Sequence, residues 1–147
     1  MTLWDWAVGA YDRSDVADAC LKLQDSYGQN VPFLLWAAWA HPDEATLKRG
    51  RQIAKDWDRA VTGPLRAVRR ELKGSAPHEE LRADIKAAEL KAERALLEAL
   101  EPLAKPAKGE VLEALTAAST AWGAGAAAPT TALRRLAAAV SAIQAEP

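Results

Sequence analysis

The side chains best suited to catalysis or metal binding are scarce in this chain. His41 precedes Pro42 and His78 follows Pro77, and neither belongs to a His-x-x-x-His or Glu-x-x-His pattern that would put two ligands on one helix face. Cys20 is the only cysteine, and its place on an apolar helical stripe favours a small buried side chain over a nucleophile. We therefore find no catalytic motif and predict neither a metal site nor a cofactor.

A group of basic residues is the first candidate for binding. Its members fall at i, i+3, i+4 and i+7 and so share one side of a helix: Arg66, Arg69, Arg70 and Lys73. Arginine binds phosphate or carboxylate with two parallel hydrogen bonds, which suits an anion or a nucleic acid. The alternative is a solvated face that pairs with the acids of the next helix, such as Glu89. The net charge of −1 does not decide between these interpretations.

Tryptophans are concentrated in the N-terminal part of the chain. Trp36 and Trp39 stand three residues apart and lie on neighbouring parts of one helix face. Large aromatic side chains build cores, and they are also enriched at binding hot spots. The pair is thus either structural or part of a groove for a partner segment or an apolar ligand.

A polar segment, residues 24–30, precedes the most apolar helix. Its Asp, Ser and Asn side chains suit turns and helix caps. Alternatively, Gln24 and Asn30 form the polar mouth of the groove expected at Trp36 and Trp39.

The elements that must hold these residues are helices. Half of the chain is apolar, with much alanine and no long period-two alternation, so we predict an all-α, irregular helical bundle. Residues that favour the ends of helices occur at Thr2 with Asp5, at Gly28 and at Asn30. They delimit an aromatic-rich N-terminal helical cap that includes a helix at residues 31–40 that is apolar all round.

A long antiparallel helix hairpin follows this cap. Its first arm has apolar residues at 3-and-4 spacing up to Leu72, with a kink or break expected at Gly63-Pro64. Its second arm extends over residues 81–103 after a Gly/Pro turn. We predict a helical core domain at 1–122, followed at 123–147 by a flexible Ala/Gly-rich linker and a C-terminal helix.

The chain has no segment suited to crossing a membrane. Its longest apolar run, Val31 to Ala40, is far shorter than the roughly 20 residues that a spanning helix needs. The first residues contain an acid and no basic stretch, unlike a signal peptide. We therefore expect a cytoplasmic protein.

The N-terminal part of the chain resembles a known family. The residues that carry the likeness are Trp4-x-Trp6, Cys20-Leu21-x-Leu23-Gln24-Asp25-x-x-Gly28-x-Asn30-Val31, Leu34-Leu35-Trp36, Trp39, Trp57, Pro64-Leu65-Arg66 and Arg69-Arg70. Together they resemble an uncharacterised, all-helical family of conserved proteobacterial proteins, over residues 3–103. The resemblance implies a small bacterial cytoplasmic protein and transfers no activity.

These observations favour a non-catalytic protein-interaction module whose partner is another protein or a second copy of the chain. Anion or nucleic-acid binding through the basic helix face, and carriage of a small apolar ligand, stay open as alternatives.

Overall fold

The computed structural model describes residues 1–123 and 130–145, and these residues form helices and no strand. The all-α prediction is confirmed. The α-helices are α1 (Leu3–Tyr11), α2 (Ser14–Tyr27), α3 (Val31–Ala40), α4 (Glu44–Trp57), α5 (Gly63–Glu71), α6 (Glu79–Leu100), α7 (Val111–Trp122) and α8 (Thr130–Ala145). A π-helical turn (Asp58–Thr62) joins α4 to α5, and short 3₁₀ turns (Ala76–His78 and Glu101–Leu103) flank α6.

Local signals set the ends of the first helices as predicted. The Thr2 hydroxyl accepts a hydrogen bond from the Asp5 N–H at 3.1 Å, and Asn30 Oδ1 accepts one from the Phe33 N–H at 3.0 Å. Gly28 ends α2 in the left-handed conformation, with φ of 61°.

Helix α3 lies at the centre of the molecule. All ten of its residues are buried, and it contacts α1, α2, α4, α6 and α7. Helix α4 approaches it closely at Gly50, where a Cβ atom would lie 2.4 Å from the Trp36 ring. A helix that is apolar on every side has no face to give to water, which is why it occupies the middle of the bundle.

The hairpin forms as predicted, but without a break at Gly63-Pro64. Trp57 Nε1 donates to the Ala92 carbonyl at 2.8 Å and Arg69 Nε donates to Glu89 at 2.5 Å, so α4–α5 and α6 run antiparallel. The irregularity lies one turn earlier, in the π-helical turn, where the Gly63 N–H donates to the Asp58 carbonyl. A wider turn moves the carbonyls away from the Pro64 ring, which lacks an N–H, and so the helix continues.

Helix α8 belongs to the same core as the helices before it. It packs against α2 and α7, and Leu136 and Val140 are fully buried. Helix α7 ends at Trp122, with Gly123 in the left-handed conformation. The linker that we expected beyond Gly123 lies outside the described residues.

Candidate functional site

Two adjoining hollows form a groove along one side of α6. The first, of about 270 Å³, lies between α1, α3 and α6, and the second, of about 500 Å³, lies between α2 and α6. Tyr11, Leu90 and Glu93 line both, so the two hollows adjoin at these residues. We call this feature the α1–α6 groove. Its other main lining residues are Trp4, Val8, Leu35 and Leu97 in the first hollow, and Leu21, Gln24, Lys86 and Glu89 in the second.

Exposed apolar side chains converge on this groove. Val8, Tyr11, Leu21 and Leu90 are 39%, 37%, 51% and 55% exposed. The other large apolar side chains that are exposed within residues 1–123 and 130–145 are Met1, Val68 and Leu81, and they line neither hollow. Contiguous exposed apolar surface in a groove is typical of binding sites, whereas single exposed side chains are ordinary.

Helix periodicity produces the groove, because α1 and α6 each have a second apolar stripe. In α1, Leu3, Ala7 and Ala10 face the core, whereas Trp4, Val8 and Tyr11 follow one residue later and line the groove. In α6, Leu96 and Leu100 are buried in the core, while Leu90, Glu93 and Leu97 recur at i, i+3 and i+7 along the groove.

The polar groups behind Tyr11 are not ionised at neutral pH. The Tyr11 hydroxyl lies beside the Cys20 thiol, and each group influences the pKa of the other. Burial raises the pKa of the Cys20 thiol to about 12 and also raises the pKa of Tyr11. Cys20 is fully buried, as its position on the apolar stripe of α2 predicted.

A buried ion network closes the far side of the groove. Glu89 is 5% exposed and accepts hydrogen bonds from Arg69 Nε at 2.5 Å and Arg69 Nη2 at 3.3 Å. Arg66 lies between two carboxylates, 3.7 Å from Glu89 and 3.5 Å from Asp58. Asp58 also accepts from the Thr62 hydroxyl at 2.8 Å, within the π-helical turn. Two guanidinium groups and two carboxylates balance one another in this network.

The carboxyl group of Glu93 is not part of this charge-balanced network. It lies at the junction of the two hollows and makes no hydrogen bond or ion pair with any described residue. Burial, with the negative charge of Glu89 in second place, raises the pKa of Glu93 to about 7, against the opposing effect of Arg66 and Arg69. An acid with this pKa changes its charge in the physiological range.

The four residues predicted from sequence to form a groove do not line one groove together. Trp36 is fully buried and Trp39 is 9% exposed, since α3 lies at the centre of the fold. The Asn30 side chain caps α3, whereas Gln24 does line the second hollow. Helix α3 contributes to the groove through Val31, Pro32 and Leu35 instead of its tryptophans.

The four residues of the predicted basic face do not form a common open surface. Arg66 and Arg69 are 19% and 18% exposed and pair with Glu89, the acid that the alternative interpretation named. Arg70 pairs with Asp25 at 3.2 Å, and Lys73 is exposed. The anion-binding hypothesis stays a prediction, with three of its four cations already paired with carboxylates.

Other parts of the surface are less suited to binding. A hollow of about 660 Å³ between α2 and α8 is larger than either hollow of the groove. However, exposed charges of both signs surround it, among them Asp18, Lys22 and Arg135. Within the described part of the chain, no three His, Cys, Asp or Glu side chains are grouped so that they could hold a metal ion.

Comparisons with known proteins identify one matching sequence family, and the matched residues include those of the α1–α6 groove. No curated protein and no solved structure matches the chain. Across residues 1–123 and 130–145, no helix combines the length and the apolar character that a bilayer crossing requires. The matching family is described as "Protein of unknown function (DUF2390)", and the match confirms the resemblance predicted from sequence. It covers residues 2–100, which include α1, α2, α3 and α6, and the chain belongs to this family.

Proposed function

We propose that this protein is a non-catalytic binding module that receives an amphipathic helical segment of another protein in the α1–α6 groove. One observation carries the proposal, which is the convergence of Val8, Tyr11, Leu21 and Leu90 on a single groove. Burying such side chains against a partner removes apolar surface from water, at about 25 cal/mol for each Å².

The length of the groove favours a helical segment as its occupant. The lining residues of α6 extend from Ala83 to Leu97. At 1.5 Å per residue this corresponds to roughly 21 Å, or about four turns of a bound helix. Helical ligands insert side chains at i, i+3, i+4 and i+7 into grooves of this kind.

A peptide selection tests this function. Random peptides of about 16 residues, long enough for four helical turns, are displayed and selected against the full chain. Selected peptides are then measured for binding to Leu90→Asp and to the matched control Leu81→Asp. Both leucines lie on α6 and are about half exposed, but only Leu90 lines the groove.

The proposal expects peptides with helical apolar spacing whose affinity falls at least roughly tenfold with Leu90→Asp and stays unchanged with Leu81→Asp. Failure to enrich any peptide, or equal binding to both variants, contradicts it. A homodimer in light scattering that Leu90→Asp dissociates also contradicts it, because the occupant is then a second copy of the chain.

The small-ligand alternative has one observation in its favour. The first hollow, of about 270 Å³, is walled by Trp4, Leu35 and Leu97 and is close to the size of a small-molecule pocket. Native mass spectrometry of the purified chain tests this alternative, which expects a bound apolar compound that Leu90→Asp releases.

We propose the bacterial cytoplasm as the place of action. A single buried thiol suits a reducing compartment, since it takes no part in a disulfide within the chain. Fractionation of cells that express the tagged chain tests this location, and recovery in the periplasm contradicts it.

A further inference from the structure

Among the described residues, Glu93 is a carboxyl group without a hydrogen-bond or ion-pair partner, and it lies in the middle of the α1–α6 groove. Buried charges are normally paired, because removing an ion from water is energetically unfavourable. Here the available cations are engaged elsewhere. Arg66 and Arg69 pair with Glu89, and Arg94 donates to Glu98 at 2.8 Å.

The groups that face Glu93 do not supply the missing charge. Helix α1 contributes the Tyr11 hydroxyl and Asp12, α2 contributes the Cys20 thiol, and α3 contributes only apolar side chains. On its own helix, Lys86 lines the second hollow but makes no ion pair with Glu93, and Glu89 is of like charge. An ionised Glu93 therefore leaves this region with one uncompensated negative charge.

We infer that the helical segment bound in the α1–α6 groove carries a lysine or arginine whose charge pairs with Glu93, between apolar side chains that fill the two hollows. This inference rests on the proposed function and adds the chemistry of the partner. A cation at this position neutralises the negative charge of ionised Glu93, and the surrounding apolar walls exclude water from the pair.

Pairing with a cation requires that Glu93 be ionised, so binding and proton release are coupled. The pKa of Glu93 is about 7, and the competent, ionised form is therefore the minority below that pH. The apparent Kd equals the intrinsic Kd divided by the competent fraction, which gives roughly tenfold tighter binding near pH 8 than near pH 6.

The experiment uses peptides of about 16 residues, selected near pH 8 against the full chain and retained only if they discriminate Leu90→Asp from Leu81→Asp. Their Kd is measured near pH 6 and near pH 8 with the native chain, with Glu93→Gln and with the matched control Glu80→Gln, at an exposed position of α6 outside the groove. A version of each peptide with glutamine at its basic residue is measured in parallel. Thermal unfolding verifies that each variant is folded.

The expected result is binding to the native chain that tightens roughly tenfold between the two pH values. Glu93→Gln and the glutamine peptide should each abolish this change and bind weakly at both pH values, while Glu80→Gln matches the native chain. Groove-dependent peptides that have no basic residue, or whose Kd ignores Glu93→Gln, overturn this inference and leave the proposed function standing. The absence of groove-dependent peptides overturns both.

Discussion

Among single residues, Glu93 has the clearest consequence for stability. Its pKa is raised in the folded chain to about 7 from the ordinary value of 4.5, so the folded state holds a proton more tightly than the unfolded state. The contribution of Glu93 to stability is therefore greatest below the ordinary pKa, decreases between about pH 4.5 and pH 7, and is constant above that range.

Glu93→Gln should remove this pH dependence, because glutamine resembles the protonated acid and never ionises. We expect the variant to match the native chain near pH 4 and to exceed its free energy of unfolding by on the order of 2 kcal/mol near pH 8. Urea unfolding across this pH range measures the difference. A variant that is less stable than the native chain near pH 8 contradicts the prediction.

Predictability from sequence differed among residues according to how local their interactions are. Thr2, Gly28 and Asn30 act on backbone within a few positions of themselves, and their cap roles could be predicted. Glu89 is buried by its contact with Arg69 of another helix. It was expected only among the acids of an exposed face, and the sequence contains no local signal for its burial.

Among the helices, α3 and α4 approach each other closely at Gly50. Gly50→Ala places a methyl group within 2.4 Å of the Trp36 ring, inside a core that leaves no room for it. We expect a loss of about 1–3 kcal/mol in the free energy of unfolding, although alanine favours the helix intrinsically.

Gly9→Ala is the matched control for this prediction. Gly9 is exposed in α1, and a Cβ atom there meets nothing within 4 Å. This change should raise the free energy of unfolding by about 0.5–1 kcal/mol, through helix propensity alone. Chemical unfolding of the two variants should give opposite signs, and equal effects would contradict the close approach at Gly50.

The groove itself could not be predicted, because no single element contains it. Val8 of α1 and Leu21 of α2 meet Leu90 of α6, which is distant from both in sequence. The run of apolar residues at 31–40 correctly predicted an apolar helix. However, aromatic content alone does not distinguish a core helix from a binding face. In contrast, the hairpin was predictable, since its two arms are adjacent along the chain.

For the whole molecule, the core extends beyond the part that matches the family. Leu115 of α7 and Leu136 of α8 are fully buried, although the match ends at residue 100. Trp122 Nε1 donates to the Gly28 carbonyl at 2.9 Å, which ties the end of α7 to the end of α2. The C-terminal helices thus complete a core that α1–α6 leave open.

Leu136→Ala tests this shared core. We expect a loss of about 2–5 kcal/mol in the free energy of unfolding, as is typical for a leucine truncated in a packed interior. Because α8 packs into the same core as the tryptophans, fluorescence and far-UV circular dichroism should report one common transition.

The control for this prediction is Leu81→Ala, at an exposed position, where we expect a change of less than about 0.5 kcal/mol. Two separate transitions, with the tryptophan signal unaffected by Leu136→Ala, would instead make residues 123–147 an independent unit.

The buried Cys20 gives the protein a built-in reporter of its own opening. Its side chain is inaccessible, and with a pKa of about 12 the thiolate is on the order of one part in ten thousand near pH 8. A thiol reagent therefore reacts only when α1 and α2 transiently separate, and the reaction rate counts these openings. Since Tyr11 lies beside Cys20 and also lines the groove, an occupant that holds Tyr11 in place slows the reaction. Candidate partners can thus be ranked by how well they protect a single sulfur atom, without any attached label.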